Sequence, residues 1–215
     1  MDTLTPEMLL QGYAMGIFPM AEGRDLSELH WYDPKMRGVL PLETFHIPRS
    51  LAKTLRHGSF EIRVDTSFTQ VIELCAEFSE DRKKTWINAT IIDLFTQLHD
   101  WGYAHSVESW RDGRLVGGLY GLALGQAFFG ESMFSRATDA SKVALVDLVS
   151  RLKAGGFVLL DTQFVTEHLS RFGGIEIPKR DYLKRLKAAI RQPARFTTDP
   201  VDWRHAASPP GVLTG

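Results

Sequence analysis

Cysteine is nearly absent from this chain of 215 residues. The single Cys75 allows neither a disulfide nor a CxxC metal site, and its place in an apolar helical pattern marks a buried thiol. No run approaches the roughly 18 consecutive apolar residues of a membrane span, and the first residues lack a signal-peptide pattern. The expectation is a cytoplasmic protein that engages no membrane. A formal net charge of -1 excludes a uniformly basic nucleic-acid binder but not a local basic face. Residues 44–60 supply one: they contain no Asp or Glu, and Arg49, Lys53 and Arg56 recur at spacings of four and three, on one helical face. Such a face is either solvated or docks an anionic partner.

Composition is otherwise that of a soluble globular protein, with 24% charged and 44% hydrophobic residues, and no internal repeat is visible. Thr5-Pro6-Glu7 starts a helix that stops at Gly16. GIFPM (residues 16–20) and HWYDP (30–34) read as loops whose aromatics pack around prolines or present a stacking surface. Gly58 ends the basic helix and closes a small N-terminal domain, residues 1–59. From Phe60 the order is a strand, a helix capped by Asp65 or Ser67 with Val71, Ile72, Cys75 and Phe78 inward, a charged loop (79–84), and a helix capped by Asn88 with Ile91, Phe95, Leu98 and Trp101 inward. An Asp112-Gly113 hairpin joins strands 104–111 and 114–124. A helix over 140–153, a strand ending at Gln163, a short helix, a strand at 175–177 and a helix over 181–191 complete residues 60–196. The tail, 197–215, reads as loose. This order predicts an α+β fold with a mixed sheet.

The stretch from Gly130 to Gln163 carries the chemistry. It opens with GESMFS and closes with FVLLDTQF, where strand alternation places Asp161 and Gln163 on one face, opposite Leu160 and Thr162. Polar groups ending an otherwise buried strand cost free energy unless partnered, so this pair is either capped structurally or does chemistry.

Eight segments in order carry a resemblance: GIFPM, WYDPKMRGVL, TWI, AHSVESW, LVGGLYG, GESMFSRATDASK, LLDTQF and EIPKRDYL. Together they cover almost the whole chain, and it is identified as a member of the leucyl/phenylalanyl-tRNA-protein transferase family. The resemblance implies a GNAT-like acyltransferase domain with a mixed, mostly antiparallel sheet. It implies transfer of Leu or Phe, with some acceptance of Met, from aminoacyl-tRNA to the N-terminal Lys or Arg of proteins, tagging them for N-end rule degradation. It further implies Asp161 and Gln163 at the reacting centre, Asp161 orienting the amine or accepting its proton, directly or through Gln163. Glu131 anchors the aminoacyl ammonium or the ribose, and Leu119, Phe134, Leu148 and Leu160 form the side-chain pocket. The terminal adenine stacks on Trp86, with Met20 on the other wall where some members have Trp, and Arg49, Lys53 and Arg56 track the acceptor stem. Thr162 stands where a Cys is often found, so no thiol is needed, and the family's N-terminal Gly-Gly-Asp-Leu segment is expected to be missing.

An aminoacyl ester is already activated, so no cofactor is expected, and the protein is expected to be a monomer. A CoA-dependent N-acetyltransferase on the same fold would want a glycine-bearing pyrophosphate loop, whereas residues 135–141 contain no glycine. A non-enzymatic tRNA-binding module would leave Asp161 and Gln163 without a purpose.

Overall fold

The computed structural model describes residues 4–23, 29–77 and 85–207. Helix α1 (Pro6–Met15) begins as expected: the Thr5 hydroxyl accepts the N–H of Met8, Pro6 occupies the first turn, and Gly16 ends the helix at φ 85°. The two segments read as loops are instead strands, β1 (Phe18–Ala21) and β2 (Leu29–Tyr32), paired antiparallel with Phe18 opposite Tyr32 and Met20 opposite His30. Prolines suggested loops here. In a two-stranded ribbon each strand keeps an open edge, so Pro19 needs no ladder donor.

Strand β3 (Met36–Val39) was also hidden, because Arg37 and Gly38 break any apolar alternation. It precedes the boundary expected at residue 59 and yet lies inside the main sheet. The remaining elements are α2 (Arg49–His57), β4 (Glu61–Val64), α3 (Phe68–Ala76), α4 (Ala89–Asp100), β5 (Ala104–Arg111), β6 (Arg114–Leu124), β7 (Ala127–Ser135), α5 (Ala140–Ala154), β8 (Leu159–Gln163), α6 (Glu167–Ser170), β9 (Ile175–Pro178), α7 (Lys179–Ala189) and α8 (Arg204–Ala207). The seven-stranded sheet runs β4-β5-β6-β7-β8-β3-β9, antiparallel throughout except for the parallel pair β7/β8. The mixed, mostly antiparallel α+β plan is therefore present.

Two apolar clusters cover the two faces of this sheet. One gathers α1, α3, α4 and α7 around Tyr13, Ile72, Phe95, Phe129 and Leu186; the other gathers α2, α5 and α8 around Leu51, Phe128, Leu148 and Leu160. Asn88 caps α4 through the N–H of Ile91. At the start of α3, Ser67 makes no side-chain cap; the buried Glu108 carboxylate takes the Thr66 and Ser67 N–H groups, together with Ser106 Oγ, the Thr66 hydroxyl and Trp110 Nε1. Trp101 is not inward as expected but 47% exposed, since α4 ends at Asp100 and the chain turns away at Gly102. Phe78 and the charged loop 79–84 lie outside the described residues.

The tail is held rather than loose as far as residue 207. Arg151 Nη1 donates to the Thr197 and Asp199 carbonyls at 2.9 and 2.6 Å, Lys153 Nζ donates to the Ala206 carbonyl at 2.6 Å, and Phe196 stacks on Phe128 and His105. Composition missed this because the anchoring donors come from α5, far back in the sequence. Among the described residues no helix is long and apolar enough to cross a membrane.

Candidate active site

The parallel strands β7 and β8 pair only through Ala127/Leu159, Phe128/Leu160 and Phe129/Asp161. Beyond that point they part, and a cleft of about 1180 Å³ opens between Gly130–Ser135 and Thr162–Leu169. Its lining includes Met20, Trp86 and Phe134, which pack in one apolar cluster, Leu119, Leu148 and Leu160, which belong to the other, and the polar Glu131 and Gln163. The structure thus brings together every side chain expected to hold the aminoacyl end.

Asp161 is different. It does not share a face with Gln163: Leu160 and Thr162 line the cleft, whereas Asp161 turns into the protein with no exposed surface. Its carboxylate accepts from Arg37 Nε at 2.9 and 3.1 Å, from Arg37 Nη2 at 2.7 Å, from the Tyr182 hydroxyl at 2.6 Å and from the Gln163 N–H at 2.8 Å. Every oxygen is engaged by the protein itself. Alternation would send Gln163 the same way, but Gln163 adopts φ 58°, and this left-handed step returns it to the cleft. Gly38, paired with Gln163 across β3/β8, makes room for the step: a Cβ there would lie 2.5 Å from the Phe164 carbonyl carbon.

Gln163 Nε2 donates to Glu131 Oε1 at 3.3 Å. Burial pushes the Glu131 carboxyl up to about 8; the Tyr13 hydroxyl opposes the rise, the Asp161 charge adds to it and Arg37 opposes it. Arg37 keeps its proton firmly although burial works against it, because Asp161 is bonded to it. Tyr182 is raised by burial first and then by the Asp161 charge. Among the described residues no group of three or more His, Cys, Asp or Glu side chains is placed to hold a metal ion.

A carboxyl near 8 and a carboxamide, set beside an apolar pocket and an indole wall, suit an activated acyl donor bearing a base, delivered to an amine. Comparison with known proteins settles the family. The model for leucyl/phenylalanyl-tRNA protein transferase matches residues 39–187, and that for the N-terminal domain of the same proteins matches residues 2–35. The chain belongs to the leucyl/phenylalanyl-tRNA-protein transferase family. It is 60% identical over 196 residues to the leucyl/phenylalanyl-tRNA–protein transferase of Paramagnetospirillum magneticum, covering 91% of this chain and 94% of that one. The enzymes of the same name from Nitrobacter winogradskyi and Zymomonas mobilis are 59% and 57% identical, over 93% and 88% of this chain and 88% and 70% of theirs.

Arg49, Lys53 and Arg56 are exposed on α2 and do not line the transferase cleft. Their helix meets the start of α5, where Thr54 Oγ1 donates to Asp139 at 3.0 Å, and Ser141 of α5 is a cleft residue. Sequence reasoning missed Arg37, Tyr182 and Tyr13. A signal existed for the first: a charge as deeply buried as Asp161 requires a partner, and Arg37 is the one cation between Met36 and Leu42.

Proposed function

We propose that this protein transfers Leu or Phe from aminoacyl-tRNA to the α-amine of an N-terminal Lys or Arg, and that the cleft between β7 and β8 is where the bond forms. The reading rests chiefly on the Glu131–Gln163 pair at the mouth of an apolar pocket. The acyl side chain occupies the pocket of Leu119, Phe134, Leu148 and Leu160; such a pocket discriminates by only about 1 to 3 kcal/mol per methylene, so Met is also accepted to a degree. The terminal adenine stacks on Trp86, with Met20 giving polarisable contact in place of a second aromatic face. Arg49, Lys53 and Arg56 meet acceptor-stem phosphates alongside the start of α5.

The acceptor amine must lose a proton before it attacks the ester carbonyl. Its ordinary pKa of about 7.7 to 8.0 matches the Glu131 carboxyl at about 8, so Glu131 accepts the proton in the fraction of enzyme in which it is ionised, a fraction that grows as the pH rises toward 8. The amide of Gln163 is not basic enough for that role and instead orients the amine and ester by hydrogen bonds. Asp161, sealed from the cleft, acts through Gln163 rather than on the amine. The tetrahedral intermediate collapses with departure of the ribose hydroxyl oxygen, which takes up the second proton shed by the attacking nitrogen. Because the ester is already activated, positioning and charge stabilisation supply the rate and no cofactor enters.

The parting of a parallel strand pair at the cleft is consistent with a GNAT-like catalytic domain. Acetyl-CoA is the less suitable donor: the N-cap of α5 is Asp139, whose carboxylate at the helix N-terminus disfavours a pyrophosphate there. The enzyme works as a cytoplasmic monomer that marks proteins for N-end rule degradation. The test is transfer of labelled Leu from Leu-tRNA to peptides beginning with Arg, Lys or Glu. Labelling of the Arg and Lys peptides alone supports the reading; consumption of acetyl-CoA without leucyl transfer would replace it.

A further inference from the structure

We propose that Arg37 is a positioning residue of the transfer reaction: its guanidinium fork fixes the Asp161 carboxylate, which in turn holds the Gln163 backbone in the left-handed step that aims its side chain into the cleft. This rests on the reading of Gln163 as a group that meets the substrate. The chain of contacts is continuous and dry. Arg37 is 1% exposed; two of its nitrogens take the two Asp161 oxygens, and the third, Nη1, donates to the Gly16 carbonyl at 2.9 Å. The planar group lies between two rings, 4.5 Å from the centroid of Phe18 and 4.6 Å from that of Tyr182. With the guanidinium held in plane and depth, Asp161 Oδ1 has one position from which to accept the Gln163 N–H, and Tyr182 closes the other oxygen.

A non-glycine residue at φ 58° persists only where its surroundings over-determine it. Asp161 supplies one constraint and the close passage of Phe164 over Gly38 the other. Arg37 sits on β3 beside Gly38, so a single strand controls both. Its bond to Gly16 also ties the end of α1 to the reacting centre, which makes the N-terminal segment part of the device that aims Gln163.

The test compares Arg37→Lys, Tyr182→Phe and Gln163→Ala, each alone and the first two combined with Gln163→Ala, in leucyl transfer from Leu-tRNA to an Arg-initiated peptide. Lysine keeps the charge but not the fork, so a purely charge-neutralising role would survive it. Arg37→Lys is expected to lower kcat about 10²-fold, the scale of a misplacement of about 1 Å at a reacting centre, with KM for Leu-tRNA unchanged. Tyr182→Phe, which keeps the ring beneath the guanidinium, lowers kcat several-fold and decides alone if Arg37→Lys does not fold. In the Gln163→Ala background both changes cost little more, because they act through the group already removed. Wild-type kcat in Tyr182→Phe and Arg37→Lys, or losses that multiply undiminished in the Gln163→Ala background, overturn the assignment. Wild-type transfer by Gln163→Ala itself overturns the reading beneath it.

Discussion

Replacing Glu131 by Gln should make the protein more stable in alkali, and by an amount that grows with pH. A carboxyl whose folded value, about 8, exceeds its ordinary 4.5 binds a proton in the native state that the unfolded chain releases. Its contribution is whole below pH 4.5 and is lost as the pH rises through 8. At about 1.4 kcal/mol per pH unit the gap sets a ceiling of about 5 kcal/mol; because Glu131 borders an open cleft, water screens it and about 2 kcal/mol is the realistic figure. Gln carries no such proton. Urea unfolding of both proteins at pH 5.5, 7.0 and 8.5 reads the difference directly, with wild type losing ground steadily and the variant about 2 kcal/mol ahead at pH 8.5 relative to pH 5.5. Parallel curves would refute the argument and, with it, Glu131 as a proton acceptor matched to the amine.

Trp86→Ala should raise the KM for Leu-tRNA by about 10-fold, within the 1 to 3 kcal/mol of one base–aromatic stack, while leaving kcat within a few-fold; an unchanged KM would remove the adenine from that wall. Changing Arg49, Lys53 and Arg56 together to Gln should flatten the salt dependence of tRNA binding by about two to three phosphate contacts, measured as the slope of log K against log salt, and an unaltered slope would leave α2 a solvated face. Gly38→Ala should lower both stability, by about 1 to 3 kcal/mol, and kcat, because its Cβ would press 2.5 Å from the Phe164 backbone beside Gln163; thermal melts and transfer assays at wild-type values would show that β3 has no part in shaping the site.

Much of this was written locally in the chain. Thr5, Asn88, Gly16 and Asp112-Gly113 each act through their own turn, and the structure uses them where the sequence puts them. The cleft residues were legible through the family resemblance, and the structure gathers them where the GESMFS and LLDTQF segments fall on β7 and β8, which part at their ends. What escaped depended on distant partners. The β1–β2 ribbon looks like a proline loop until Pro19 is seen facing an open edge, and β3 looks like an interrupted turn until Asp161 explains its buried arginine. The orientation of Gln163 could not come from alternation, since a single left-handed residue reverses it, and that residue is stabilised by Asp161 and by the bare Cα of Gly38 on another strand. The tail up to residue 207 is fixed by Arg151 and Lys153 for the same reason.

The central claim is that the bond forms beside Gln163, in the cleft between β7 and β8. A single-turnover measurement of leucyl transfer, with enzyme in excess over Leu-tRNA, isolates that step from tRNA binding and product release. Gln163→Ala is predicted to slow it by about 10² to 10³-fold at unchanged Leu-tRNA affinity. An unchanged single-turnover rate would place the chemistry elsewhere.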